Sequence, residues 1–317
     1  MRQKIRTTVV GSYPKPSWLK YLSNVDEKIK EDAFKDAVRA VVKDQEIAGV
    51  EILWDGEVRR EEMTSYFAER IGGFVIYGEV RVWGNTYYPK PAIVDELTYE
   101  KPLVVHEFEF LREITDREIK VPVTGAYTLV DWSFNEYYTS REEAIYALAK
   151  IINEELKKLV KAKASFIQLD EPALSTHSSA DEIEIAKNAV EEMLRGINVY
   201  TAIHICYGNY ERLFPHIMEF NVDQLDLEFA NRGFSDLELL KEYSYDMDLG
   251  FGCIDVHTSR VESVEEVVNA IKLALEVVEP EKLYVDPDCG LKLLPRDVAF
   301  KKLRVMCEAA KMVRDSV

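Results

Sequence analysis

The chain lacks any basic excess. Lys and Arg number 40 against 57 Asp and Glu, a formal net charge of −17 over 317 residues. A surface of that sign has no footprint for phosphate, which excludes nonspecific nucleic-acid binding. Nor does any run approach the ~20 apolar residues of a membrane span, and the start, "MRQKIRTTVVGSYPKP", carries no long apolar segment of the kind found in a secretory signal. The expectation is a cytoplasmic protein with no membrane partner. Cysteine is scarce: the four, Cys206, Cys253, Cys289 and Cys307, are too few for a disulfide scaffold, and none stands in a C-x-x-C redox pair. A reducing compartment leaves them for packing or for metal. Low-complexity tracts and short repeats are missing as well, which argues against a solenoid.

What the sequence does have is alternation. Eight short runs rich in β-branched residues, "RTTVVGS", "GVEILWDG", "KVPVTGAY", "SFIQLDEP", "VYTAIHICYG", "VDQLDLE", "DLGFGCIDVH" and "KLYVDPDCG", are separated by longer charged stretches. In two of these, "EDAFKDAVRAVVKDQEIAG" and "REEAIYALAKIINEELKKLVKAKA", apolar residues recur at three and four, the spacing of a helix that covers a sheet. The pattern predicts an α/β fold, a (β/α)8 TIM barrel forming a single domain over residues 1–317. The Lys/Glu-rich helices are its solvated outer faces, a composition compatible with a thermophile. One stretch breaks the alternation. Residues 73 to about 105 are rich in aromatic and β-branched residues, with turn signals at Gly78, Gly84-Asn85 and Pro89, and predict a β-rich insertion after the second βα unit.

Nearly every strand candidate ends in polar residues, and a barrel brings all strand C-termini to the face where active sites are built. His204 and Cys206 are two apart, so in a strand their side chains lie on one side of the sheet. They read either as a hydrogen-bonded core histidine beside a small buried thiol, or as two metal ligands. Cys289 in "VDPDCGLK", flanked by Asp288 and Gly290, favours the second reading, and Glu228 at the end of "LDLE" adds a carboxylate. Borderline-soft Zn²⁺ accepts all three donor types. Cys253 and Cys307 read as packing residues. Two thiolates on zinc make it a weak Lewis acid for hydrolysis but suit the activation of a thiol, with Glu228 the ligand most easily displaced. The chemistry expected is alkyl transfer to sulfur.

Seven ordered blocks, "TTVVGSYPKP", "DGEVRREEMTSYF", "VPVTGAYTLVDWSF", "QLDEPAL", "HICYGNY", "IDVHTSRVES" and "VDPDCGLK", resemble the catalytic C-terminal domain of cobalamin-independent methionine synthase, over nearly the whole chain. The resemblance implies a barrel that binds one zinc per chain and transfers a methyl group to L-homocysteine. It implies His204, Cys206, Glu228 and Cys289 as metal ligands, Ser12 on the substrate carboxylate, and Glu57 and Asp170 on its α-amino group. Helix capping is the alternative for these two acids. It also implies His257 as proton donor, with Asp255 two residues earlier on the same face, and Trp132 as an aromatic that stacks on the methyl donor.

The family's two-domain members carry a further N-terminal half that helps to grip a polyglutamylated folate, and 317 residues leave no room for it. The expected donor is therefore a methyl corrinoid, free or on a corrinoid protein partner as in short archaeal relatives, or a methyl-pterin such as a folate. Two other readings stay open at this stage: a zinc methyltransferase that loads another small thiol, and a barrel whose zinc is only structural.

Overall fold

The computed structural model describes residues 3–22, 25–83, 86–177 and 179–317. Its strands are β1 (Arg6–Thr7), β2 (Ile52–Leu53), β3 (Ile71–Trp83), β4 (Thr86–Tyr99), β5 (Glu118–Thr124), β6 (Phe134–Asn135), β7 (Phe166–Asp170), β8 (Tyr200–Ile205), β9 (Gln224–Glu228), β10 (Asp248–Ile254) and β11 (Leu283–Pro287). The helices are α1 (Glu27–Ala48), α2 (Ser65–Ala68), α3 (Val105–Ile114), α4 (Ala126–Asp131), α5 (Arg141–Lys161), α6 (Ala180–Met193), α7 (Leu237–Glu242), α8 (Val264–Ala274) and α9 (Arg296–Arg314). None of the described helices is long and apolar enough to cross a membrane.

Eight strands form one sheet in the order β1-β11-β10-β9-β8-β7-β5-β2, and a parallel bridge between Thr8 and Ile52 joins its two ends. All eight sequence runs supply a strand, and the fold is the expected (β/α)8 barrel. The helices form where local signals agree. Asp26 caps α1 by accepting from the Lys28 amide at 2.9 Å, and Gly49, with φ 101°, ends it in the left-handed region that glycine tolerates. Ser140 caps α5, which has Glu142 and Glu143 in its first turn and Lys158 and Lys161 in its last, each sign matched to the helix dipole.

By contacts the chain divides into two compact units, the first made of Met1–Arg59, Phe110–Lys120 and Asp223–Val317. In its interior the Lys120 ammonium of β5 lies 3.1 Å from Asp226 of β9 and 3.8 Å from Asp286 of β11, with all three side chains buried. Between β9 and β11 runs β10, "DLGFGCI", and its glycines make the room. A Cβ on Gly250 would lie 2.8 Å from Asp226 Cα, and one on Gly252 would lie 2.5 Å from Asp288 Oδ1. The spacing of two in Gly-Phe-Gly thus leaves one face of β10 bare, while Phe251 packs on the other against Phe229.

The second unit comprises Arg60–Glu109 and Val121–Val222. In it β7 and β8 pair in parallel, Asp170 opposite His204. The β-rich insertion is an antiparallel hairpin of β3 and β4, with β6 added in parallel to β4. Its strands end at Tyr99, short of residue 105, because the buried Glu155 carboxylate of α5 accepts the amides of Val104 and Val105 at 2.7 Å each and starts α3 there. The turn expected at Gly84-Asn85 lies outside the described residues.

The run after β8 holds no α-helix but two short 3-10 turns, Tyr210–Arg212 and His216–Glu219, so only seven of the eight units are completed by an α-helix. Tyr207 bends the chain with φ 57°, Asn209 after it is extended, and Pro215 in the middle of the segment cannot donate to a helical ladder.

Replacing Lys120 by Met is expected to leave two buried carboxylates without their cation. Chemical denaturation should show a loss of about 3–5 kcal/mol of stability, and a loss below about 1 kcal/mol, the size of an exposed pair, would refute the role given to the ammonium.

Candidate metal centre and active site

In the first unit the candidate residues stand at or just beyond the strand ends. Glu228 closes β9 wholly buried, and its Oε2 accepts from the Asn231 side chain at 3.1 Å. Its Oε1 lies 3.9 Å from Nε2 of His257, whose ring is 34% exposed. The neighbouring Glu228 carboxylate raises the proton affinity of His257, against the opposing effect of its partial burial. Asp255 turns its carboxylate to the backbone, Oδ1 accepting the His257 amide at 2.8 Å. Asp255, His257 and Glu228 are therefore joined in one contact group.

Ser12 follows β1, and its carbonyl accepts the Leu291 amide at 2.8 Å. A side chain on Gly290 would collide with the Ser12 hydroxyl, so the residue after Cys289 has to be this small. Glu57, beyond β2, has φ 54° and donates its amide to Asp55 Oδ1 at 2.6 Å. A non-glycine residue in this left-handed region costs on the order of 1 kcal/mol, and such strain clusters at functional sites.

In the second unit, Asp170 ends β7 and its Oδ1 accepts from the Gln168 side chain at 2.7 Å. His204 is buried on β8, and its carbonyl accepts the Glu171 amide at 2.9 Å. Cys206 is the first residue past β8, buried, and Tyr207 after it turns the chain with φ 57°. Trp132 caps the C-terminus of α4 and is 36% exposed.

The ligand atoms of His204, Cys206 and Cys289 all lie within 4.8 Å of one another. One imidazole nitrogen and two sulfurs at this spacing match the donor set that zinc prefers. Glu228 falls outside this group of three and belongs instead to the His257 contacts. Cys253 and Cys307 are buried, and burial raises both thiols, Cys307 to about 12 and Cys253 well above its ordinary value. They stay protonated and pack, as expected of them.

Two further carboxylates were assigned no function from the sequence, Asp288 serving there only as the flank of Cys289. Asp288 accepts the amides of Phe229, Ala230 and Asn231 at 2.9, 2.9 and 2.7 Å, fixing the turn just past Glu228. Burial lifts its carboxyl to about 7 against the pull of those amides. Glu171 is fully buried, also raised to about 7 by burial, and accepts the Tyr127 and Thr128 amides at the start of α4. The signals were present: each acid adjoins a candidate residue, Asp288 before Cys289 and Glu171 after Asp170, at a strand end where burial is expected.

Comparison with known proteins agrees with this chemistry. Residues 5–312 match the family described as "Cobalamin-independent synthase, Catalytic domain". A methionine synthase of Thermococcus kodakarensis is 49% identical over 315 residues, covering 97% of this chain and 93% of that protein. The methionine synthase of Pyrococcus horikoshii is 50% identical, with 97% and 92% covered. Among solved structures, a B12-independent methionine synthase from Shewanella sp. W3-18-1 in complex with selenomethionine superposes with a TM-score of 0.90 at 30% identity, covering 99% of this chain and 98% of that one. A putative vitamin-B12 independent methionine synthase from Listeria monocytogenes, 21% identical with a TM-score of 0.78 and 99% of each chain covered, shares the fold. With a barrel of this architecture, a soft-donor cluster at its strand ends and a family match over almost its full length, the chain belongs to the catalytic-domain family of the cobalamin-independent methionine synthases and is a methyltransferase of methionine biosynthesis.

Proposed function

We propose that the protein transfers a methyl group to the thiol of L-homocysteine, forming L-methionine, with one zinc ion held by His204, Cys206 and Cys289 and with Glu228 as a fourth, displaceable ligand. The observation that carries this reading is the 4.8 Å cluster of one histidine and two cysteine donor atoms. A zinc ion held by these residues would supply acidification of a substrate thiol, leaving its sulfur nucleophilic near neutral pH.

The chain's own residues supply the rest. Ser12 donates from its hydroxyl to the substrate carboxylate, and Glu57 and Asp170 accept from its ammonium. Acids for an ammonium and a hydroxyl for an anion form a pattern that reads an amino acid, and a thiol lacking the ammonium would leave two carboxylates unused. That preference favours homocysteine over another small thiol, and membership of an enzyme family favours a zinc that takes part in the reaction over one that is only structural. The proton on His257 Nε2, favoured by Glu228, is held for the leaving group of the donor. Trp132 offers the donor a stacking face.

A methylated pterin is the donor proposed, since its nitrogen must take up a proton as the C–N bond breaks and His257 is there to give one. The family's description as cobalamin-independent lends no support to a corrinoid protein partner. The residues invoked come from the whole chain, so residues 1–317 are proposed to act as one catalytic domain. None of its four cysteines is joined in a disulfide, in keeping with the cytoplasmic setting proposed for it.

Methionine formation from L-homocysteine by zinc-loaded protein, with a methylated tetrahydrofolate compared against methylcobalamin, tests the acceptor and the donor together. Turnover with the folate is expected; turnover with methylcobalamin alone would reverse the donor assignment, and none with either would remove homocysteine as acceptor. Cys289→Ala should lose most of its zinc by elemental analysis and all turnover while its circular dichroism stays that of the folded barrel. Retained methyl transfer in that variant would sink the metal-centre proposal. His257→Ala should depress the folate reaction more than any methylcobalamin reaction, because cobalt releases methyl without taking a proton; equal losses would count against a proton donor.

A further inference from the structure

Helix α9 buries a stripe that includes Ala299, Leu303, Met306 and Ala310, and in the middle of it stands Lys302, fully buried. A lysine at a core-facing position is costly unless its ammonium is paired and hydrogen-bonded throughout. Here its Nζ donates to both carboxylate oxygens of buried Glu262, at 3.0 and 2.9 Å, to the carbonyl of Asp255 at 2.9 Å and to the carbonyl of Arg260. Every one of these acceptors lies in residues 255–262, which link β10 to α8. Glu262 in turn accepts the Asp255 amide at 3.2 Å, and Asp255 accepts the amide of His257 at 2.8 Å. Just beyond, Ser263 and Glu266 form a capping box that fixes the start of α8.

Loop closure alone does not require this arrangement. The capping box already anchors the far end, and an apolar side chain on the α9 stripe would pack without any desolvation cost. What the ammonium adds is a fixed path for the backbone on both sides of His257, with the carbonyls of Asp255 and Arg260 drawn to a single point beneath it. We propose that Lys302 is the positioning residue of the His257 loop: its buried ammonium, paired with Glu262, folds residues 255–262 so that the His257 ring is presented toward Glu228. This rests on the reading of His257 as proton donor.

A double-mutant cycle between Lys302→Met and His257→Ala tests it, run on the zinc-loaded full chain with the donor the protein turns over. Lys302→Met is expected to lower kcat by about 10- to 100-fold, the range that a displaced catalytic group costs, with zinc content and the KM for homocysteine unchanged. In the double variant the losses should not multiply: its kcat should lie within about twofold of that of His257→Ala alone, the mark of two residues acting as one. Hydrogen exchange should accelerate in residues 255–262 of Lys302→Met. Should Lys302→Met fail to fold, Glu262→Gln enters the same cycle, since it removes the charge pairing and keeps an oxygen acceptor. If His257→Ala has no effect of its own, the proton-donor reading falls and this inference with it. If His257→Ala lowers turnover but the second losses multiply, or loop exchange is unchanged, the proton-donor reading stands and the positioning role is overturned.

Discussion

The organisation of the first unit depends on burying one ammonium between two carboxylates. Lys120 from β5 meets Asp226 of β9 and Asp286 of β11 with all three side chains buried. Such a cluster is tolerable only if each member stays within reach of the others, so it constrains how far each strand can slide. Two residues further on, on the same faces, stand Glu228 and Asp288. The pairing inside the barrel therefore sets the height at which these acids emerge. Asp288 then turns the chain after β9 through three backbone amides, and Cys289 follows it directly. Bare glycines on β10 are the counterpart of this filling, since a methyl group at Gly250 or Gly252 would occupy the space of an aspartate.

The same economy of space governs the strand ends. A Cβ on Gly290 would lie 2.0 Å from the Ser12 hydroxyl oxygen and displace it, which ties a candidate substrate contact to the residue beside a candidate metal ligand. Glu57 and Tyr207 hold left-handed backbone conformations immediately beside candidate residues or at them. Each conformation is disfavoured locally and has to be maintained by the surrounding barrel, as is usual where side chains are aimed at a reaction rather than at packing. The family membership and the geometry thus point the same way: soft donors gathered at strand ends and a histidine beside Glu228.

Strand number and fold class were legible because eight apolar runs of strand length alternate with helical spacing, and because barrel strands end in polar residues at one face. His204 and Cys206 were legible as a pair since a period of two puts them on one side of β8. The hairpin was legible in composition but not in extent, because Glu155, far along the chain, decides where its second strand gives way to α3. The helix missing after β8 shows the reverse: Gly208, Asn209 and Pro215 were in view, and alternation was read through them.

The sequence by itself determined the fold class, the identity of the metal-donor candidates and the sign of the charges around them, since each is written in residue type and local period. Only the tertiary structure decided which of these meet. It gathered His204 and Cys206 with Cys289 across more than eighty residues of chain. It set Glu228 against His257 and gave Lys120 and Lys302 their buried partners. The physical reason is that a buried charge is governed by whichever opposite charge the fold brings within about 3 to 4 Å, where its attraction offsets lost hydration, and that separation is not encoded in any local pattern.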